Sequence, residues 1–132
     1  MSDTLLIQPL TQGFVASIRP PGSKSLTNRA LLLAALAQGR STLRHALDAD
    51  DPQRMRDGLN ALGVAITAGD DEEISLVDGA AGGLGCGDVS LHLGNAGTAY
   101  RFLTAACSFR EGSAVLDGVP RMRQRPIGQL VD

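Results

Sequence analysis

The 132-residue sequence predicts an α/β fold built of repeated βαβαββ units, the first complete and the second truncated within its second helix. Two observations predict it. Short apolar runs of strand character alternate with helix-forming runs, and many of the sixteen glycines stand between them. The chain also resembles itself at a shift of 72 residues, where Gly22 falls on Gly94, Arg29 on Arg101, Leu31 on Leu103 and Ala34 on Ala106. With one insertion, Gly39 falls on Gly112 and Leu43 on Leu116. Both halves read strand, glycine turn, apolar helix, strand, then a helix with Arg-Met near its start (Arg54-Met55 and Arg121-Met122). A helix that stops after one turn has no finished face to bury, so the chain is expected to be a fragment or one of two chains.

Taken in order, Leu5 to Leu10 and Phe14 to Ile18 read as short strands around Thr11-Gln12-Gly13. Pro20-Pro21-Gly22 is a rigid turn. Ser23 or Ser25 can cap the helix that follows, whose core Arg29 to Ala37 (RALLLAALA) consists almost wholly of strong helix formers, with Gly39 as its stop. Ser41 to Ala46 reads as a strand. Asp51-Pro52 starts a second helix, with Asp51 as cap; Met55, Leu59 and Leu62 form its buried stripe, and Gly63 ends it. Val64 to Ala68 and Glu73 to Val77 read as a hairpin, and Asp78 to Asp88 as a connecting glycine-rich loop. Val89 to Leu93 is a strand that runs into Gly94-Asn95-Ala96-Gly97-Thr98 and a helix from Ala99 to Phe109. Ser113 to Leu116 is a strand, Asp117-Gly118 a turn, and Pro126 a helix start whose apolar stripe (Ile127, Leu130, Val131) is not completed.

Composition narrows the chemistry. A net charge of −2, one Tyr, three Phe and no Trp argue against a nucleic-acid partner, since there is little basic surface and little for bases to stack on. Cys86 and Cys107 lack metal-ligand spacing and read as free thiols of a reducing compartment. His45 and His92 sit in strand-like runs and read as incidental. No apolar run reaches membrane-spanning length and no signal peptide is evident, so a cytoplasmic protein without a membrane partner is expected.

The polar residues cluster at the two glycine turns. Ser23, Lys24, Ser25, Asn28 and Arg29 crowd the first turns of an otherwise apolar helix. Ser25 and Arg29 share one face, as do Lys24 and Asn28. A helix N-terminus offers unpaired N–H groups and the positive dipole end, so this start suits an anion, phosphate or carboxylate. Polar residues at a helix start are also ordinary capping. Gly22-Ser23-Lys24-Ser25 is not a nucleotide-binding P-loop, which has Gly directly before Lys. Glycines at the 94–98 turn let backbone N–H groups approach an anion closely, although such turns also occur without a ligand. Arg121, Arg123 and Arg125 alternate between Pro120 and Pro126; in an extended segment they share one side, the alternative being a solvated basic face. Asp48, Asp50 and Asp51 cluster, and helix capping explains them as well as acid/base work does.

PGSKSLTNRALLLAALA, LGNAGTAYR and DGVPRMRQRPIGQLVD, in that order over essentially the whole chain, resemble the signature stretches of the 5-enolpyruvylshikimate-3-phosphate (EPSP) synthases. The related UDP-N-acetylglucosamine enolpyruvyl transferases usually have Gly-Ala-Lys-Asn where this chain has Gly22-Ser23-Lys24-Ser25. The resemblance implies an inside-out barrel of βαβαββ units and transfer of the enolpyruvyl group of phosphoenolpyruvate to the 5-hydroxyl of shikimate 3-phosphate, without cofactor or metal. It implies that Lys24 contacts both substrates and assists proton transfer or charge stabilisation. Ser25 and Arg29 would hold shikimate 3-phosphate. Asn95, Gly97 and Thr98 would meet phosphoenolpyruvate, and Arg125 its phosphate or carboxylate. Arg101 is expected to tie its helix to the domain, a substrate role being the alternative. Many bacterial members have Pro where this chain has Phe102, so sensitivity to the family inhibitor glyphosate is not expected.

Family members are much longer, with two domains of three units each and the active site between them. Residues 1–18 would then belong to the second domain and residues 19–132 to a partial N-terminal domain. The remaining C-terminal part of the enzyme becomes the expected partner, and the chain alone is expected to be inactive. The alternative is a non-catalytic fragment or a binding module for phosphorylated small molecules.

Overall fold

A computed structural model describes residues 4–69 and 74–132. Helix α1 (Lys24–Leu36) begins at Ser23, whose hydroxyl accepts a hydrogen bond from the Leu26 N–H. Thr27, Asn28, Leu31, Ala34 and Ala35 recur at helical spacing and are buried. Strand β1 (Gln38–Arg44) follows directly, so Gly39, with φ of 84°, lies in this strand and does not stop the helix. Helix α2 (Asp50–Ala61) starts two residues earlier than its Asp-Pro signal suggested, so Asp51 is not the cap. Ala49 is the N-cap and Asp50 and Asp51 lie in the first turn, where carboxylates meet the positive end of the dipole. Gly63, at φ of 87°, does end it.

Strands β2 (Ala65–Ala68) and β3 (Ile74–Ala80) pair antiparallel, as the hairpin reading expects; the tip of that hairpin lies outside the described residues. β3 runs three residues into the predicted glycine-rich loop because β1 pairs with it antiparallel over its full length, giving the order β1-β3-β2. Gly79 allows this sheet to touch α1, since a Cβ there would stand 2.2 Å from the Ala37 carbonyl oxygen and 2.6 Å from that of Ala34.

Strand β4 (Val89–His92), helix α3 (Gly97–Cys107) and strand β5 (Ala114–Asp117) form a βαβ crossover, and the two strands are parallel. α2 lies between α1 and α3 and packs on both. Leu31, Met55, Leu59, Leu62, Leu93 and Leu103 are the large fully buried side chains of the shared core. Gly58 sits under Leu103 where α2 meets α3. The chain closes with two short helices, α4 (Pro120–Arg123) and α5 (Gly128–Val131). Met55 and Met122, equivalent in the sequence repeat, are both buried.

Two further expectations need correction. Residues 5–10 and 14–18 form no strand: no neighbouring strand among the described residues offers them an edge, and Leu5, Leu6, Ile7, Leu10, Phe14, Val15 and Ile18 are exposed. Arg121, Arg123 and Arg125 do not share an extended side, because α4 coils the first two. Arg123 forks onto the Asp117 carboxylate at 2.8 and 2.6 Å, Arg121 reaches the Gln124 amide oxygen, and Arg125 turns to Asn95.

Candidate functional site

The turns before α1 and α3 are built alike and face a common space. At the first, a Cβ on Gly22 would lie 2.5 Å from the His45 carbonyl oxygen, so only glycine lets the chain pass beneath residues 45–47. At the second, Gly94 takes φ of 55° and β4 leads at once into α3, whose N-cap is Ala96 and which has no side-chain cap. Ser25, in the first turn of α1, and Gly97 and Thr98, in the first turn of α3, therefore bring two positive helix ends to one place.

That place is an open cleft of about 420 Å³ lined by Ser25, Arg29, Gly97, Thr98, Arg101, Phe102, Arg125 and Pro126. Five predicted site residues meet here although Ser25 and Arg29 lie on α1, Gly97 and Thr98 about 70 residues further along and Arg125 about 100. Two do not line it. The Lys24 ammonium stands 3.3 Å from the Asp51 carboxylate. The Asn95 carboxamide oxygen accepts a 2.9 Å hydrogen bond from Arg125 Nη2. Sequence reading missed Asp51 as the partner of Lys24, having taken it for a cap; nothing local signals a contact 27 residues away.

Among the described residues, the cations of the cleft have no carboxylate partner, unlike several elsewhere. Arg40, Arg54 and Arg123 each hold a carboxylate, of Asp78, Asp50 and Asp117. Inside the cleft, Arg125 binds a neutral amide and Arg101 donates to the neutral Pro126 carbonyl. Arg29 makes no ion pair or hydrogen bond among the described residues. Three guanidiniums thus converge with no carboxylate among the lining residues, beside two hydroxyls and two helix N-termini. A cation about 4 Å from a phosphate contributes at most about 4 kcal/mol at an effective dielectric near 20, before desolvation. The arrangement suits a multiply charged anion, and arginine forks suit carboxylate and phosphate alike.

A second hollow of about 420 Å³, lined by residues of α2 and the β2–β3 hairpin, lacks this character. There Arg56 already bonds Ser75 and approaches Asp48 at 3.7 Å, and Asn60 accepts from the Ile66 N–H. Among the described residues no group of three or more His, Cys, Asp or Glu could hold a metal ion, and no helix is long and apolar enough to cross a membrane.

Known proteins match the chain over most of its length. The family pattern described as EPSP synthase (3-phosphoshikimate 1-carboxyvinyltransferase) matches residues 11–132. A 3-phosphoshikimate 1-carboxyvinyltransferase of Serratia proteamaculans is 50% identical over 135 residues, covering 100% of this chain and 31% of that protein. One from Nitrosomonas eutropha is 49% identical over 124 residues, covering 94% of this chain and 28% of its own length. Among solved structures, the EPSP synthase of Acinetobacter baumannii superimposes with a TM-score of 0.73 at 27% identity, covering 80% of this chain and 24% of that one. The chain spans less than a third of the length of these relatives.

Proposed function

The chain belongs to the EPSP synthase family, and from that premise we propose that it supplies part of the substrate site for enolpyruvyl transfer from phosphoenolpyruvate to shikimate 3-phosphate. The 5-hydroxyl of shikimate 3-phosphate gives up its proton as its oxygen adds to the substituted carbon of the enol double bond, and the terminal methylene takes up a proton. The tetrahedral adduct then loses phosphate and returns a methyl proton, restoring the double bond. Both substrates are phosphorylated and each carries a carboxylate, which is the chemistry that the unneutralised guanidiniums of Arg29 and Arg125 serve.

The observation that carries the reading is the cleft in which Ser25 and Arg29 of α1 meet Gly97, Thr98 and Arg125 of the second half. Ser25 and Arg29 hold shikimate 3-phosphate. Gly97 and Thr98 meet phosphoenolpyruvate at the α3 N-terminus, where Arg125, steadied by Asn95, takes its phosphate or carboxylate. Lys24, now paired with Asp51, turns to the substrates and assists proton transfer or charge stabilisation. No cofactor or metal takes part.

The βαβαββ units belong to an inside-out barrel whose second unit is completed, with a third, by the remaining C-terminal part of the enzyme. Residues 1–18 join the second domain and residues 19–132 form part of the first. The protein works in the cytoplasm. The cleft's lining has no carboxylate to act as general acid or base, which favours a chain that binds but does not turn over alone. The test is phosphate release from the two substrates by this chain mixed with the C-terminal part of a relative, with Lys24→Ala as control. Release that disappears in the control supports the reading. No release together with no binding of shikimate 3-phosphate to the chain overturns it.

A further inference from the structure

We infer that Arg101 is a positioning residue for Arg125: by holding the Pro126 carbonyl it sets the guanidinium of Arg125 over Gly97 at the cleft. The inference rests on the reading of the cleft as an anion site. Arg101 lies four residues after Gly97, on the same face of α3, so one helix face supplies both the floor beneath Arg125 and the tether beside it. The Arg101 Nη2 donates to the Pro126 oxygen. Pyrrolidine closure fixes the Pro126 φ, so few soft torsions separate that oxygen from the Arg125 Cα. Arg125 itself donates Nη2 to Asn95, and its Nη1 occupies the space where a Cβ on Gly97 would come to 2.2 Å.

Packing alone does not hold this segment down. A partly open pocket of about 70 Å³ adjoins it, lined by Gly97, Tyr100, Met122 and Ile127 and by Arg101 and Arg125 themselves. The nearest backbone anchor is the Arg125 N–H to the Met122 carbonyl, at 3.0 Å. Arg125 and Pro126 are exposed, so hydrogen bonds hold the peptide between them, and the Arg101 bond is the one that reaches it from α3. An exposed arginine without such a tether samples many rotamers and must be ordered at the moment of binding.

The test uses this chain and inorganic phosphate, with arginine guanidinium resonances followed by nitrogen-15 NMR. In the ligand-free protein, Arg101→Ala should shift the Arg125 resonance and average it toward that of a free side chain. Arg101→Lys should restore it in large part, because Arg101 uses a single donor that an ammonium can replace. Phosphate affinity should fall about tenfold in Arg101→Ala, and the Arg101→Ala/Arg125→Ala double variant should bind no more weakly than Arg125→Ala alone. An unmoved Arg125 resonance, or losses that add in the double variant, overturns the inference in favour of independent roles. Wild-type protein that fails to bind phosphate would count against the anion-site reading itself, while the ligand-free resonances still decide whether Arg101 positions Arg125.

Discussion

At the scale of single residues, Gly97 and Asp117 give opposite kinds of test. A Cβ on Gly97 meets only the flexible end of Arg125, so Gly97→Ala should leave folding stability within about 0.5 kcal/mol while weakening phosphate binding several-fold. Thermal melts and a phosphate titration of the same samples check both halves. Asp117 acts on stability. The forked hydrogen bonds from Arg123, with the Gly118 N–H, hold its carboxyl well below the usual carboxylate range. Asp78 is lowered by hydrogen bonds from Arg40, and Asp88 by those from Ser113. A carboxylate depressed in the folded state stabilises fully above its unfolded value of about 3.9, and that contribution fades as pH falls towards the depressed one. Denaturation midpoints should therefore drop from about pH 5 downwards, and Asp117→Asn should flatten that drop. Burial raises the Cys107 thiol, so exposed Cys86 should be the faster of the two to react with a thiol reagent.

Among elements, the tightest joint is where β3 crosses the end of α1. A Cβ on Gly79 would strike the carbonyl oxygens of Ala37 and Ala34, both backbone, so neither side can yield without moving a whole element. Gly79→Ala should cost about 2–3 kcal/mol in urea denaturation. The α2–α3 joint fails by the opposite route. Leu103 is fully buried against Gly58, and Leu103→Ala should cost about 2–5 kcal/mol through the cavity it leaves. Equal losses at an exposed control such as Ala105→Gly would argue that α3 merely frays, not that its core face is special.

The molecule as a whole leaves much apolar surface in water. Its accessible area is 9133 Å², where a compact chain of this mass exposes about 6,600 Å². Leu26 and Leu33 of α1 are 65% and 69% exposed, two turns apart on one stripe, and seven large apolar side chains between residues 5 and 18 are exposed as well. The isolated chain should therefore self-associate as its concentration rises. Leu26→Lys together with Leu33→Lys should move sedimentation toward the monomer, and adding the C-terminal part of a relative should do the same by covering that stripe. Sedimentation that does not depend on concentration would run against this expectation.

What the sequence determined by itself is local and chemical. The Ser23 cap, the left-handed Gly63, the β2–β3 hairpin and the glycine turns follow from backbone preferences that act within a few residues. The three signature stretches likewise carried the family. Tertiary structure alone decided which distant groups meet, because spacing fixes a face only within one element. Ser25 and Arg29 reach Gly97, Thr98 and Arg125 through the packing of α1 and α3 on α2. The same packing gave Lys24 to Asp51 and Pro126 to Arg101, partners with no local signal. The alternating arginines were misread because one helical turn, α4, replaced the extended backbone that their spacing implied. The apolar runs before residue 19 read as strands, yet a strand exists only where another offers its hydrogen-bonding edge, and that is a property of the assembled fold.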